Sequence, residues 1–279
     1  MPGVAVVTDS TADFAGTEPA EFAITVVPLT VNWGKDVLRD RIDVTTSEFY
    51  ERLRTDREIP RTAAPPLGIF EEVYRNLLEQ YDAVVSVHIS AKLSATYSVA
   101  TTAARNVDEG RVHVVDSATT TVTLGWLAQA AAELERDDAP AEAIVRKLRD
   151  MIPRLRIYLT LDTLEYLQRG GRIGRAEAFL GGLLSVKPIL ECHDGEIHPV
   201  ERVRTRAAAI RRVAEITQQL GRKERIAIAH SDCEEEARAF AAEVARRESI
   251  PSVPIAELGS VVGTHTGPGV LGIGCLLAE

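Results

Sequence analysis

Short apolar segments rich in β-branched residues alternate with longer segments of helical periodicity along most of this 279-residue chain. Runs of about four to eight such residues are typical of buried strands. Their alternation with helices predicts an α/β fold with parallel sheets. The predicted strands are Val4–Thr8, Ala83–Ile89, Arg111–Val115, Arg156–Leu161, Arg225–His230 and Val253–Leu258.

Capping residues and apolar spacing predict the helices. Thr45-x-x-Glu48 is a capping-box pattern, and Gly221 suits the residue just after a helix end. Residues 122–150 are rich in Ala, Glu and Arg, which we interpret as solvated helix faces. The predicted helices are Ser47–Arg54, the segment containing Phe70, Val73, Leu77 and Leu78, then Ala139–Met151 and Thr205–Leu220.

The chain length suggests two domains, since domains contain about 150 residues on average. Pro153 follows a predicted helix end, so we place the boundary there, between an N-terminal domain of residues 1–152 and a C-terminal domain of residues 153–279. In the C-terminal domain, Asp194-Gly195 separates two strand-like segments and predicts a hairpin. We therefore expect a parallel sheet in the first domain and a mixed sheet in the second.

Charge and composition exclude several kinds of function. The net charge of −9 and the aromatic content of 5% argue against a nucleic-acid partner, which needs a positive surface. No apolar run approaches the ~18 residues of a transmembrane helix, and no signal-peptide pattern precedes Val4. We expect a cytoplasmic protein with no integral membrane segment.

Signatures of metals, disulfides and nucleotide cofactors are missing from the sequence. Cys192, Cys233 and Cys275 are widely spaced without a CxxC pair, and no two histidines have metal-ligand spacing. The segment from Gly170 to Gly174 does not match the dinucleotide pattern GxGxxG. No GxSxG nucleophile motif surrounds Ser94. We expect reduced cysteines, no metal and no cofactor.

Small polar residues gather after several predicted strands, where ligands bind in open α/β sheets. Each group alone is well explained by helix capping, and the pattern identifies no ligand. His265 lies in the glycine-rich segment Gly263–Gly269, which is either a binding loop or a tight turn with an incidental histidine. The polar groups are Asp9-Ser10-Thr11, the Thr62–Pro66 loop, Ser90–Tyr97 and Asp116-Ser117.

Together these motifs resemble those of the DegV family, in the family's order and over nearly the whole chain. The resemblance implies a two-domain α/β protein that binds a long-chain fatty acid in a tunnel between its domains. The matching segments are Thr8–Asp13, Pro60–Pro65, Ser90–Tyr97, Val115–Ser117, Tyr166–Ile173, Lys187–Ile189 and Gly263–Gly269.

The resemblance also implies that the chain is not an enzyme acting alone. Family members similar to the acyl-binding subunit of bacterial fatty-acid kinase present the carboxylate to a separate ATP-binding subunit, which makes an acyl phosphate. The implied carboxylate-binding residues here are Thr62, Ser94 and His265. Residues expected in a second layer behind them are Asp9, Ser10, Thr11 and Ser117.

These residue types suit a carboxylate. Ser94 and the backbone amides of a helix N-terminus attract anions, and Thr62 offers a hydroxyl. His265 neutralises the carboxylate if it is protonated and donates one hydrogen bond if it is neutral. The acyl chain supplies most of the affinity, because each buried methylene contributes about 0.8 kcal/mol.

A docking surface for the kinase subunit is implied at two arginines, Arg172 and Arg204. Arg202, Arg204 and Arg206 share one face if this segment is extended. Arginines at helix starts are, however, commonly solvated or paired with glutamates, and such pairs contribute little.

The chain departs from the family pattern at the head-group loops. Ala63, Ala64 and Pro66 stand in the usual Ser-Gln-Pro-Ser loop, and Ala95 replaces a glycine. These changes affect which acyl chains we expect the protein to prefer and whether we expect it to use a kinase partner. Two alternatives stay open: a lipid sensor or carrier without a kinase partner, and a hydrolase or small-molecule kinase that uses Ser94 and His265.

Overall fold

The computed structural model describes residues 3–56, 58–180 and 186–279. Each predicted strand is present within one or two residues of its predicted bounds. The strands are β1 (Val4–Asp9), β2 (Thr25–Val27), β3 (Thr30–Trp33), β4 (Asp36–Arg39), β5 (Arg61–Ala63), β6 (Ala83–His88), β7 (Val112–Asp116), β8 (Leu155–Thr160), β9 (Lys187–His193), β10 (Glu196–Val203), β11 (Lys223–His230), β12 (Ile255–Glu257) and β13 (Leu271–Leu277).

The predicted helix signals are also present. The Glu48 amide donates to the Thr45 hydroxyl at 3.2 Å and the Thr45 amide donates to the Glu48 carboxylate at 2.9 Å, and Gly221 has a φ of 85°. The helices are α1 (Thr46–Thr55), α2 (Leu67–Leu78), α3 (Thr96–Val107), α4 (Thr121–Arg136), α5 (Ala141–Met151), α6 (Glu165–Arg169), α7 (Arg206–Gln219), α8 (Glu234–Glu248) and α9 (Ser260–Thr266), with short 3-10 helices at Pro19–Phe22, Ile152–Arg154 and Gly174–Phe179.

The N-terminal part contains the predicted parallel sheet, with strand order β2-β1-β6-β7. β1 pairs in parallel with β2 and β6, and β6 pairs in parallel with β7. Because the strands are parallel, the polar segments that follow β1, β6 and β7 lie at the same edge of the sheet.

The C-terminal part contains the predicted mixed sheet, with strand order β10-β9-β8-β13-β11-β12. β9 and β10 form the predicted hairpin, and Asp194 and Gly195 both have positive φ angles, 49° and 82°. β13 was not predicted, and it runs antiparallel to both of its neighbours, β8 and β11. The two-domain mixed α/β class is therefore confirmed.

A small antiparallel sheet, β4-β3-β5, was missed. Thr62, which the sequence placed in a loop, lies instead in β5 and pairs with Val31 of β3. The strands are three or four residues long, so their pairing depends on partners distant in sequence rather than on local pattern. Trp33, Phe49 and Val261 belong to the apolar cluster that includes Val31 of this sheet, so the cluster links the sheet to α1 and α9.

The expectation of solvated faces over residues 122–150 is wrong for α4. Every residue of α4 from Thr121 to Ala132 is buried, because the helix packs against β1 and β6 of the first sheet and against β8, β11 and β13 of the second. One apolar cluster accordingly includes Val85, Leu127 and Leu159. In the described ranges, no helix has the length and apolar character to cross a membrane.

The boundary between residues 152 and 153 stays a prediction. It falls where α5 gives way to a 3-10 helix that leads into β8. The strands of the parallel sheet precede this point and those of the mixed sheet follow it.

Gly125 of α4 packs closely on backbone, since a Cβ atom there would lie 2.6 Å from the Asp13 carbonyl oxygen. Gly125→Ala should lower the free energy of unfolding by about 1–3 kcal/mol, because backbone cannot yield as a flexible side chain can. Gly68→Ala in α2 is the matched control, as no atom lies within 4 Å of its Cβ position. It should be neutral or slightly stabilising, by less than about 1 kcal/mol. Urea unfolding measures both, and equal effects would contradict this account.

Candidate functional site

Thr62, Ser94 and His265 lie around one narrow cavity with a volume of about 70 Å³. Its wall is mostly apolar and comes from both domains. The lining residues are Leu29, Thr62, Ile89, Leu93, Ser94, Thr120, Leu167, Arg172, Ile197, Val261, Val262, His265 and Thr266. The structure thus brings together three segments far apart in sequence.

His265 lies in the last turn of α9 and contacts Thr62 directly. Its Nε2 atom is 2.7 Å from the Thr62 hydroxyl oxygen, and its Nδ1 atom is buried without a hydrogen-bond partner among the described residues. Gly170 packs so closely on the ring that a Cβ atom there would collide with Nδ1. The imidazole is therefore fixed on one side by a hydroxyl and on the other by backbone.

The imidazole is neutral at physiological pH. Burial, reinforced by the nearby Arg172 guanidinium, lowers the pKa of His265 from 6.5 to about 4. Of the two states left open by the sequence, the structure favours the neutral one. A neutral imidazole can donate one hydrogen bond to a carboxylate but cannot balance its charge.

Arg172 supplies the positive charge at the cavity, a position that the docking prediction did not anticipate. Its Nε atom donates to the Leu93 carbonyl at 3.0 Å and its Nη1 atom donates to the Gly170 carbonyl at 2.6 Å. Gly171 has a φ of 68°, so the chain turns sharply just before Arg172. Both partners are neutral carbonyls, which leaves the guanidinium charge available to an anion.

Ser94 lies just before the N-terminus of α3. Its hydroxyl is 2.9 Å from the Thr96 hydroxyl and accepts a hydrogen bond from the Thr96 amide at 3.3 Å. These bonds tie Ser94 to the first residue of α3 and still leave Ser94 on the cavity wall. Ser94 is not hydrogen-bonded to His265 in the structure, so the two do not form a nucleophile–base pair.

Asp9, Ser10, Thr11 and Ser117 lie outside the cavity wall. Asp9 accepts hydrogen bonds from the Thr11 hydroxyl at 2.5 Å and from the Ile89 amide at 2.9 Å. Ser10 accepts one from the Leu29 amide at 3.1 Å and Ser117 one from the Thr119 amide at 3.2 Å. These bonds fix the loops that carry the lining residues Leu29, Ile89 and Thr120.

The sequence analysis did not predict a buried network of polar residues behind Asp9. His88 Nδ1 lies 3.0 Å from Asp9, and its Nε2 lies 2.7 Å from the Ser86 hydroxyl. The Tyr74 hydroxyl donates to Ser86 at 2.9 Å. The order Asp–His–Ser matches a nucleophilic triad, but Ser86 is fully buried. This hydrogen-bonded network therefore stabilises the sheet.

Helix α9 is anchored at its N-terminus by a second buried group. Asp13 accepts hydrogen bonds from Arg41 and from the Gly259 amide, and Asp40 accepts them from the amide and hydroxyl of Ser260. Burial raises the pKa of Asp13 to about 7 and also raises the pKa of Asp40. No sequence motif indicated this arrangement.

The predicted docking arginines 202, 204 and 206 do not share a face, because β10 ends at Val203 and Arg206 begins α7. The Arg202 guanidinium stacks over Phe179 at 4.9 Å. Arg206 forms an ion pair with Glu236. Arg204 is exposed and has no acidic partner within the described ranges.

A wider opening of about 550 Å³ adjoins the cavity, and we call it the vestibule. Thr62, Arg172 and His265 line both spaces. The vestibule residues are Ile59, Pro60, Arg61, Thr62, Tyr166, Arg169, Gly170, Arg172, Thr264 and His265. The described residues contain no cluster of three or more His, Cys, Asp or Glu side chains suited to a metal ion.

The chain is similar in sequence to members of one protein family. A family model for uncharacterised proteins of the DegV family matches residues 3–277. Protein DegV of Bacillus subtilis is 38% identical over 274 residues, which cover 97% of this chain and 98% of the relative. A DegV domain-containing protein of Streptomyces coelicolor is 38% identical over 276 residues, with 97% of both proteins covered.

Solved structures with similar folds include proteins described as binding fatty acids. A fatty-acid-binding DegV family protein from Thermus thermophilus has a TM-score of 0.91 and 33% identity, covering 99% of this chain and 100% of that chain. DegV of Bacillus subtilis, a fatty acid binding protein, has a TM-score of 0.88 and 37% identity with the same coverage. A stearic-acid-binding protein from Eubacterium ventriosum has a TM-score of 0.89 and 28% identity, covering 99% and 98%.

The low pKa of His265 predicts a pH dependence of stability. The unfolded chain takes up a proton at this residue below about pH 6.5, whereas the folded protein does so only near pH 4. The free energy of unfolding should therefore decline as the pH falls through this window. His265→Gln should weaken that decline, as measured by urea unfolding at several pH values.

The same substitution at His113, on β7 and outside the cavity, controls for the loss of a histidine. Asp13 contributes with the opposite sign as the pH rises from 3.8 towards 7, but it is present in each protein compared. An identical pH dependence in His265→Gln and the unchanged protein would show that the imidazole is not held neutral.

Proposed function

The chain belongs to the DegV family, and we propose that it binds a long-chain fatty acid in the cavity between its two domains. The carboxylate lies at Thr62, Ser94, His265 and Arg172, and the acyl chain follows the apolar wall. The observation that carries this proposal is that these four residues, from distant segments, all line one mostly apolar cavity. The fatty-acid-binding relatives support it.

The residues divide the recognition of a carboxylate between charge and direction. Arg172 balances the charge, while Thr62, Ser94 and neutral His265 offer hydrogen bonds in fixed directions. A hydrogen bond to a charged group contributes about 1.5–3 kcal/mol. Each buried methylene adds about 0.8 kcal/mol, so the acyl chain contributes more to the binding free energy than any one head-group contact does.

We further propose that the bound carboxylate is presented to a separate ATP-binding kinase subunit. A carboxylate oxygen attacks the γ-phosphorus of ATP, a new P–O bond forms, and the bond to the bridging oxygen breaks to release ADP. A carboxylate is already deprotonated, so the transfer needs position and charge stabilisation rather than a general base. Arg204 contributes to docking because its charge is exposed and without an acidic partner in the described chain.

The Ser/His enzyme alternative receives less support. The Ser94 hydroxyl bonds with Thr96 and the His265 imidazole with Thr62, so neither activates the other. A carrier or sensor without a kinase partner would use the same lipid site, and the absence of a kinase complex in the host would favour it.

The protein should co-purify with one long-chain fatty acid per chain, detected by denaturing mass spectrometry. After delipidation, Ser94→Ala should weaken palmitate binding by about 1.5–3 kcal/mol without abolishing it. Ser98→Ala, an exposed position on the same helix, should bind as the unchanged protein does. Absence of fatty acid together with no palmitate uptake would refute the lipid site.

Charge reversal at Arg204 tests the docking proposal. Arg204→Glu should slow acyl-phosphate formation by the host's kinase subunit and leave palmitate affinity unchanged, with the loss growing smaller at high salt because charge steering is screened. Arg211→Glu, at an exposed arginine on α7, is the matched control. Equal rates for both variants and the unchanged protein would exclude Arg204 from docking.

A further inference from the structure

We propose that the Thr120 hydroxyl forms a second polar subsite on the cavity wall, and that this subsite binds a hydroxyl group carried by the acyl chain of the ligand. The inference rests on the proposed function and deepens it, because it assigns a ligand class: long-chain fatty acids with a hydroxyl group on the acyl chain. The subsite is separate from the head-group contacts at Thr62, Ser94, His265 and Arg172.

Of the hydroxyl groups that line the cavity in the described chain, only that of Thr120 has no hydrogen-bond partner. Thr120 is also buried, with 9% of the residue exposed. A buried hydroxyl without a partner is unfavourable, so a ligand group that pairs with it is stabilised in the cavity. The other hydroxyl groups of the wall bond as follows: Ser94 with Thr96, Thr62 with His265, and Thr266 with the Val262 carbonyl.

Helix capping does not account for the Thr120 hydroxyl. Thr120 is the N-cap residue of α4, where a threonine hydroxyl normally accepts a hydrogen bond from an amide of the first turn. Its side chain makes no such bond here. The Thr123 hydroxyl instead donates to the Thr120 carbonyl at 2.8 Å and lies 2.6 Å from the Thr119 hydroxyl oxygen. The Thr120 hydroxyl is therefore left without a structural role in the helix start.

The backbone on both sides of Thr120 has a conformation that non-glycine residues rarely adopt. Ala118 has a φ of 48° and Thr121 a φ of 55°, and a positive φ is particularly unfavourable for a β-branched residue such as Thr121. Such strain persists only where surrounding contacts fix the backbone, and it is common where a protein holds a ligand. The Thr121 amide donates to the Thr11 carbonyl at 2.9 Å, and the Asp13 amide donates to the Thr121 carbonyl at 3.3 Å. These bonds fix the segment that carries Thr120 to the cavity wall.

A hydroxylated acyl chain is the ligand that suits this arrangement. Apolar side chains form more than half of the cavity wall, and they can bury methylene groups but cannot pair with a hydroxyl group. Burial of a ligand hydroxyl without a partner is unfavourable. The Thr120 hydroxyl removes that cost, because it can both donate and accept a hydrogen bond. A wall that recognised only an unsubstituted acyl chain would gain nothing from a polar group at this place.

The first test compares palmitate with a series of monohydroxypalmitates that differ only in the position of the hydroxyl group. Titration calorimetry with delipidated, unchanged protein measures each affinity. One position in the series should bind at least as tightly as palmitate, because its hydroxyl pairs with Thr120. The other positions should bind about tenfold more weakly, because their hydroxyls are buried without a partner. If every hydroxypalmitate binds more weakly than palmitate, the subsite is overturned.

The second test removes the hydroxyl. Thr120→Val should weaken binding of the preferred hydroxypalmitate by about tenfold and leave palmitate binding unchanged within about twofold. Thr120→Ser keeps the hydroxyl and should keep the preference. Thr102→Val on α3 is the matched control, since Thr102 is exposed outside the cavity and its hydroxyl donates to the Ser98 carbonyl. It should change neither affinity.

The remaining outcomes separate this inference from the proposed function. If palmitate binds and Thr120→Val leaves the ratio of the two affinities unchanged, the subsite is overturned and the lipid site stands. If Thr120→Val weakens both ligands equally, Thr120 contacts the carboxylate and the assignment to the acyl chain is overturned. If neither palmitate nor any hydroxypalmitate binds the unchanged protein, both proposals are overturned. The ligand series does not depend on a substitution, so it decides the question even if Thr120→Val fails to fold.

Discussion

Two buried carboxylates, Asp13 and Asp40, hold the N-terminus of α9, and the position of His265 depends on them. Burial of two carboxylates is unfavourable unless positive groups and hydrogen bonds compensate. Arg41 and the first amides of α9 provide that compensation, and the helix dipole favours negative charge at this end. The raised pKa of Asp13, to about 7, shows that the compensation is incomplete. The position of His265 on the cavity wall therefore depends on contacts of Asp13 and Asp40 that lie outside the cavity.

Arg172 provides the positive charge at the cavity and neutral His265 provides a directed hydrogen bond. These separate roles explain why both residues occur there. A protonated histidine beside Arg172 would place two cations in a buried space, and the low pKa of His265 avoids this. The imidazole then acts as a directional donor or acceptor for Thr62. The permanent charge of Arg172 keeps the site attractive to anions at any physiological pH.

Features determined by neighbouring residues could be predicted from the sequence, and features determined by distant contacts could not. The capping box at Thr45 and the Asp194-Gly195 turn are local and were found. The pairing of β3 with β5 and the burial of α4 depend on packing, which an Ala-rich composition does not reveal. Family motifs named Thr62, Ser94 and His265. The place of Arg172 on the cavity wall follows the turn at Gly171, and the sequence analysis named this residue only for docking.

The buried position of α4 between the two sheets limits how far the two domains can separate. Separating the domains would expose the apolar residues of this helix to water, at about 25 cal/mol for each Å² uncovered. A hinge that opens like a clamshell is therefore energetically unfavourable for this architecture. Opening of the cavity while the shared core stays intact therefore requires less apolar exposure than separation of the domains does. For the lipid site proposed above, slow release of the ligand is the expected consequence.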